Sequence, residues 1–343
     1  MSNETRENQM TDCSQLKPLT TRFYCDVPGL DTEKIYLMNG AGVGKNTGEQ
    51  GVRLDFNHSQ TPKPIQIISV REGHAFPEVQ VRNTVTVEAG VSASLILCDH
   101  TTSDFAFVTE TWNEFHLAEG AQLRILMMQN EHNTSTHTTN IKVQQEKHSF
   151  FSCTLITLHG GTIENRFEVT LQGEQAECAL NGLFLCDGAQ RITNAVRVRH
   201  AVSSCRSNQL FKGLLDDRAV GYFNGHIRVD KDAQKTEAMQ ENHNMLLAPA
   251  AKMYIQPHLE IYADDVKCAH GATIGRIDEN ALFYLRSRGI SLAEAQFLQQ
   301  FAFAHDVIER ITLPPLRERI ADLVGKRLRG ELHPCAGCAR HCC

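Results

Sequence analysis

Residues 84–98 read TVTVEAGVSASLILC, from Thr84 to Cys98. Thr84-Val85-Thr86-Val87 is β-branched throughout, and Ser94-Leu95-Ile96-Leu97-Cys98 is a second strand-like run. Between them stands an acidic turn word, Glu88-Ala89-Gly90. Similar words recur at Glu119-Gly120-Ala121, Glu146-Lys147-His148 and Gly173-Glu174-Gln175. Their first acids stand at 88, 119, 146 and 174, so the words lie 31, 27 and 28 residues apart. Further strand-like runs include Ile65–Val70, Val79–Val81, Leu123–Met128 and Phe167–Leu171. One turn word per period, with strands and no long helices between, marks a solenoid. The period predicts a β-helix core over residues 64–277, with a sandwich of short strands as the structural alternative.

The flanks read differently. Residues 1–63 are rich in turn formers (Pro28-Gly29, Gly40, Gly42, Gly44, Gly48) and are expected to be irregular or helical. Gly44-Lys45 is not a phosphate loop, because that motif needs Gly at 39 and Ser or Thr at 46, and both are Asn. From Asp278 the period becomes helical, giving a module over 278–330. A first short helix ends at Gly289, a favourable residue just past a helix end. Ser291 with Glu294 forms a capping box. Leu292, Ala295, Leu298, Ala302, His305 and Ile308 then follow as a buried stripe, and Pro314-Pro315 is expected to end that helix. A last helix runs from Leu316 to Leu328, and the module is expected to cap the solenoid. Residues 331–343 form a cysteine-rich tail.

The chain has 343 residues, 41% hydrophobic and 22% charged, with a net charge of -6. This is long enough for more than one domain and too acidic for a general nucleic-acid binder. The basic run Arg317, Arg319, Lys326, Arg327, Arg329 falls on a helix and reads as a solvated face. No signal peptide or membrane-length apolar run is evident, so a cytoplasmic protein is expected. Cys98, Cys153, Cys178, Cys186 and Cys205 read as buried packing residues.

Candidate chemistry concentrates in residues 259–275, LEIYADDVKCAHGATIG. Cys268 and His270 are i and i+2, so they share a face if a strand persists through them. A thiol and an imidazole suit a transition metal or iron–sulfur species, but two ligands cannot close a site. Asp264-Asp265 and Asp216-Asp217 keep a carbohydrate-active β-helix enzyme in view, although adjacent strand residues face opposite sides and a turn role fits them better. Gln234-Lys235-Thr236 with Gln240, Asn242 and Asn244 reads as stacked polar residues of a solenoid. In the tail, Cys335, Cys338, Cys342 and Cys343, with His333 and His341, have metal-ligand spacing for zinc or iron, and a metal-binding protein built on that tail is another reading.

Several words together carry a family resemblance: Phe223-Asn224-Gly225-His226-Ile227-Arg228-Val229, Ala233-Gln234-Lys235-Thr236, Gln240-x-Asn242, Leu246-Leu247, Lys267-Cys268-Ala269-His270-Gly271-Ala272-Thr273 and Phe283–Ile290. They resemble the SufB/SufD family of iron–sulfur cluster assembly scaffolds, and within it the SufD branch. The resemblance implies a right-handed parallel β-helix and a non-enzymatic scaffold. It implies a SufB-like partner paired along the edge near residues 234–275, with contacts from Gln234, Lys235, Thr236, Leu259, Ile261, Arg286 and Arg288. A transient cluster is then expected at that junction, with His270 as a shared ligand and Cys268 beside it. A SufC-like ABC-type ATPase is expected on the helical module, and a homodimer is a further option. No nucleic acid or membrane partner is implied.

Overall fold

The computed structural model describes residues 27, 30–43, 47–48, 50–58, 63–72, 78–102 and 105–332. Among them the strands are β1 (Glu33–Met38), β2 (Ala41–Val43), β3 (Thr47–Gly48), β4 (Gly51–Phe56), β5 (Ile65–Arg71), β6 (Glu78–Val87), β7 (Ser92–Thr101), β8 (Val108–Leu117), β9 (Gln122–Asn130) and β10 (Thr136–Gln145). The series continues with β11 (Phe150–His159), β12 (Thr162–Leu171), β13 (Glu177–Cys186), β14 (Arg191–His200), β15 (Arg206–Leu215), β16 (Val220–Val229), β17 (Glu237–Leu246), β18 (Lys252–Ile261) and β19 (Lys267–Gly275). Helices α1 (Glu279–Ser287), α2 (Leu292–Ile308) and α3 (Pro314–Leu328) follow.

From β5 onward the odd strands form one parallel sheet and the even strands a second, so the chain changes sheet at every turn. Ser92 pairs with Gln122 and Gln122 with Phe150, which makes successive coils 30 and 28 residues long. This is a two-sheet β-solenoid of parallel strands. The sandwich alternative fails because nearly every ladder is parallel, which the short connections of an antiparallel sandwich do not produce.

The six corners from β6–β7 to β16–β17, each leading from an even strand to the next odd one, repeat one backbone device. A residue with φ between 56° and 69° recurs at Gly90, Gly120, His148, Gln175, Ser204 and Lys235. Each turn hydrogen-bonds to the next: Gly90 N to Glu119 O at 2.9 Å, Gly120 N to Lys147 O at 2.8 Å, His148 N to Glu174 O at 2.9 Å. The acidic words therefore mark a stacked column of turns. Only the first two use glycine at the left-handed position; the rest accept strain of order 1 kcal/mol.

Even strands alternate strictly, as in β8 with Thr109, Thr111, Asn113, Phe115 and Leu117 buried between outward polar neighbours. Inside, aromatic rings stack from coil to coil: Phe115 on Phe151 at 5.8 Å and Phe211 on Phe223 at 5.2 Å. Glycine makes room for them, since a Cβ at Gly182 would stand 2.3 Å from the Phe211 ring.

Odd strands are buried on both faces in their second halves, as in β9 and β11. Their outward Ile96, Leu126, Met128, Ile156, Leu158, Leu183, Leu185 and Leu210 pack against Ala304, Val307, Ile308, Leu316, Ile320, Leu323 and Val324. The helical module thus lies along the flank of the odd sheet, which corrects the expectation that it caps the solenoid. The continuous apolar runs of the odd strands need a cover, and an end cap would leave them wet. Lys212, buried on that flank, pairs with the Asp306 carboxylate and donates to Phe303 O at 3.2 Å. Arg327 donates to Leu158 O at 3.1 Å and pairs with Asp187 at 2.8 Å.

Three further expectations change. Residues 33–56, expected to be irregular, hold β1 to β4; β1 pairs in parallel with β5 and β4 with β6, extending the solenoid upstream. Pro314-Pro315 opens α3 at its first positions, where a missing N–H costs nothing, while α2 already ends at Ile308. The face of α2 that is buried carries Ala295, Ala304, Val307 and Ile308, whereas Leu292 and Leu298 are exposed. Half of the capping box forms: Ser291 accepts from Glu294 N at 3.2 Å, while the Glu294 carboxylate pairs with Arg329 at 3.1 Å; Gly289 has φ 86° as expected.

His200, at the end of β14, gives the fold an acid-sensitive point. It is fully buried, holds Ser207 Oγ at 2.9 Å, and burial pulls its pKa down to about 4. The unfolded chain takes that proton near pH 6.5, so stability from this group is intact above 6.5 and is lost as pH falls towards 4. The loss totals about 3 kcal/mol. Urea unfolding at a series of pH values should show it, with a flatter profile for His200→Gln; identical slopes in the two proteins would discard the assignment.

Candidate functional site

The last coil is open. β18 pairs only with β16, and β19 only with β17; among the described residues no strand covers their other edges. Side chains that would face the core of a longer solenoid therefore face outward over its end. Cys268 stands over Ala238, His270 over Gln240, Ala272 over Asn242 and Ile274 over Asn244. On the other sheet Leu259 stands over Ile227 and Ile261 over Val229. Ile261 and Ile274 are 40% and 49% exposed.

β19 persists through both candidate ligands, so Cys268 and His270 do share a face. His270 is exposed, and its imidazole has no hydrogen-bond partner among the described residues. Cys268 is half-buried against Ile227, Val229 and Ala238. Burial raises its thiol pKa, and a backbone hydrogen bond at Ala238 offsets that only in part. A thiol so placed is a reluctant nucleophile until a metal or cation takes its proton. Beneath His270 the interior is polar: Gln240 Nε2 donates to Gln209 Oε1 at 2.7 Å and Asn244 Nδ2 to Asn242 Oδ1 at 2.7 Å. The glutamine pair links one coil to the next, and the asparagine pair lies along β17.

The expected partner contacts divide. Leu259, Ile261, Arg286 and Arg288 are accessible or partly so, and the Arg288 guanidinium lies 4.5 Å from the Tyr284 ring. Gln234 closes a turn, donating to Lys231 O at 3.0 Å and accepting from Asp265 N at 2.9 Å. Lys235 is exposed at the left-handed position of that turn. Thr236 is buried and its hydroxyl donates to Ala233 O at 2.9 Å, so it is corrected from a partner contact to a turn lock.

The paired acids are turn formers. Asp217 accepts from Gly188 N at 3.0 Å and Asp216 from Asp217 N at 2.8 Å. Asp264 and Asp265 sit on the exposed bend before β19, and Asp265 O accepts from Lys235 N. Neither pair brings two carboxylates to bear on one substrate. Cys98, Cys153, Cys178, Cys186 and Cys205 are buried, with burial pushing the Cys153 and Cys186 thiols up to about 12. The candidate tail ligands, Cys335, Cys338, Cys342 and Cys343, lie outside the described residues.

The two-sheet parallel solenoid defines the fold class, and residues 70–303 match the family described as SUF system FeS cluster assembly, SufBD core domain. The chain belongs to this SufBD family. It is 32% identical over 272 residues to the iron–sulfur cluster assembly protein SufD of Escherichia coli, covering 78% of this chain and 64% of that protein. It is 30% identical to a SufBD family protein of Synechocystis, over 71% of this chain and 54% of the other. Chloroplastic protein ABCI7 of Arabidopsis thaliana is 31% identical over 64% of this chain and 46% of its own length. The chain thus spans about half to two thirds of the curated relatives it matches. Among the described residues no helix is long and apolar enough to cross a membrane.

Proposed function

We propose that this chain is a non-enzymatic SufD-like scaffold subunit for iron–sulfur cluster assembly. The observation that carries the reading is the exposed His270 on an unpaired edge strand, within a chain of the SufBD family. The open edges of β18 and β19 receive a SufB-like subunit by continued strand pairing, and the exposed Ile261 and Ile274 add apolar burial. The nascent cluster is cargo at that junction. His270 supplies a neutral imidazole, and Cys268 is a second donor within reach of the same face. The missing ligands come from the partner, since two cannot close a site.

The helical module is the docking surface for a SufC-like ATPase. Phe283 and Tyr284 on α1 and Leu292 and Leu298 on α2 are exposed, with fractions of 76%, 55%, 45% and 39%. Large apolar side chains in such a group mark an interaction site. Any ATP chemistry resides in that partner. Zinc or iron held by Cys335, Cys338, Cys342 and Cys343 is a separate function of the tail, and cytoplasmic residence is part of the same proposal.

Ile261→Lys tests the junction. The residue is 40% exposed, so the isolated chain should keep its melting temperature within about 2 °C. Co-purification with the SufB-like subunit should fall at least about tenfold, because a charge is left against an apolar partner surface. Unchanged co-purification would remove the open coil as the interface. Light scattering of the isolated wild-type chain separates the homodimer: a dimer abolished by Ile261→Lys would mean that the edge also pairs with its own copy.

A further inference from the structure

We propose that this chain holds a divalent first-row transition cation inside the solenoid, at Asp99, Glu131 and His137. Two adjacent coils supply them: Asp99 comes from β7, and one coil further on Glu131 comes from the turn after β9 and His137 from β10. One carboxylate oxygen from each acid and one ring nitrogen lie within 4.8 Å of one another. All three are buried, at 7%, 2% and 1% exposure. Ligand atoms about 2.1 Å from a shared tetrahedral ion stand about 3.4 Å apart, so a small inward shift closes the set.

Three details point to a ligand beyond the cluster itself. His137 is oriented as metal-bound histidines are: Nε2 faces Thr111 Oγ1 at 3.0 Å, while Nδ1 faces Glu131 Oε1 at 2.7 Å. The Nδ1 contact is a hydrogen-bonded ion pair in the cation-free chain, so a bound cation would displace the Nδ1 proton and leave Nε2 donating to Thr111. Glu131 Oε2 is buried and has no hydrogen-bond partner, an unusual state for a carboxylate oxygen. Beside Asp99 and Thr111, and not lined by Glu131 or His137, lies a partly open cavity of about 10 Å³, also bounded by Ser69 and Asn113. That is room for about one water on the Asp99 side of the cluster. Asn113 Nδ2, buried and unpartnered, belongs to the same wall.

Charge argues in the same direction. Arg71, fully buried, donates to Asp99 Oδ1 at 3.1 Å. One guanidinium against two carboxylates leaves a buried negative charge when both His137 and the neighbouring buried His100 are neutral, and that is costly. A cation supplies the missing charge. The alternative is a charged His137, giving a self-contained quartet with Arg71, Asp99 and Glu131. Two carboxylate oxygens and one imidazole suit zinc, ferrous or manganous ions; calcium would need six to eight oxygens. The site lies on coils remote in sequence from His270 and does not depend on the assembly role.

The test uses the full chain carrying Cys335→Ser, Cys338→Ser, Cys342→Ser, Cys343→Ser and His270→Ala, expressed in cobalt-supplemented medium so that the buried site loads as the chain folds. The expected result is about one cobalt per chain after dialysis, with weak visible bands and no thiolate-to-cobalt charge transfer. Melting should fall by several degrees once the protein is unfolded and refolded with chelator. Glu131→Gln should lose the metal and the shift. Should that variant not fold, the parent protein decides. Cobalt below about 0.1 per chain with unchanged melting overturns the site and leaves the ion quartet alone. A thiolate band overturns it equally, moving the metal to a cysteine.

Discussion

His270→Ala should cut the iron and sulfide content of the co-expressed three-component complex by about tenfold or more, while the complex still assembles. The residue is exposed and unengaged, so its removal opens no cavity and breaks no hydrogen bond within the chain. What disappears is one metal donor at the proposed junction, and an open-edged site with few ligands has no spare. Cys268→Ser is the companion measurement. Its half-buried thiol has a raised pKa, so a smaller deficit is expected unless the metal itself ionises it. A complex that assembles with full cluster content after His270→Ala would reduce this chain to a structural partner.

Phe211→Ala should destabilise the isolated chain by about 3–5 kcal/mol in urea unfolding. Phe211 is fully buried, stacks on Phe223 at 5.2 Å and meets Phe167 edge-on at 6.2 Å. Collapse into the space is blocked: the neighbouring Gly182 carries no side chain to move in. Lys212, the next residue, holds α2 on the opposite face of β15, so loosening this coil also loosens the module. A loss below about 1 kcal/mol would mean that the solenoid interior repacks far more freely than its ring stack implies.

The solenoid was legible because its turn words repeat at the coil length, and the left-handed corner residues keep that spacing even where His148, Gln175 and Ser204 replace glycine. The placement of the helices was less legible. The runs Leu95–Cys98 and Leu123–Met128 read as strands either way, and periodicity cannot say whether a second buried face meets a helix or another sheet. Within α2, Leu298 looked like core and is exposed; small Ala304 is buried against the sheet instead. For the site, the strand parity of Cys268 and His270 could be read from the residues, and their significance came from the surrounding words. Asp99, Glu131 and His137 carried no local signal, since two adjacent coils bring Asp99 to the other two only after folding.

The stacked corner turns have a consequence for how the molecule opens. Each coil is held by its two neighbours, so the stability of a coil is close to a nearest-neighbour sum. The coil of β18 and β19 has a neighbour on one side only, and helix cover is provided along the flank. Opening should therefore begin there and run inward one coil at a time, with amide hydrogen exchange graded along the axis. A partner that adds the next coil would close this fraying end like a zip stop. Protection would then spread through strands that the partner never touches.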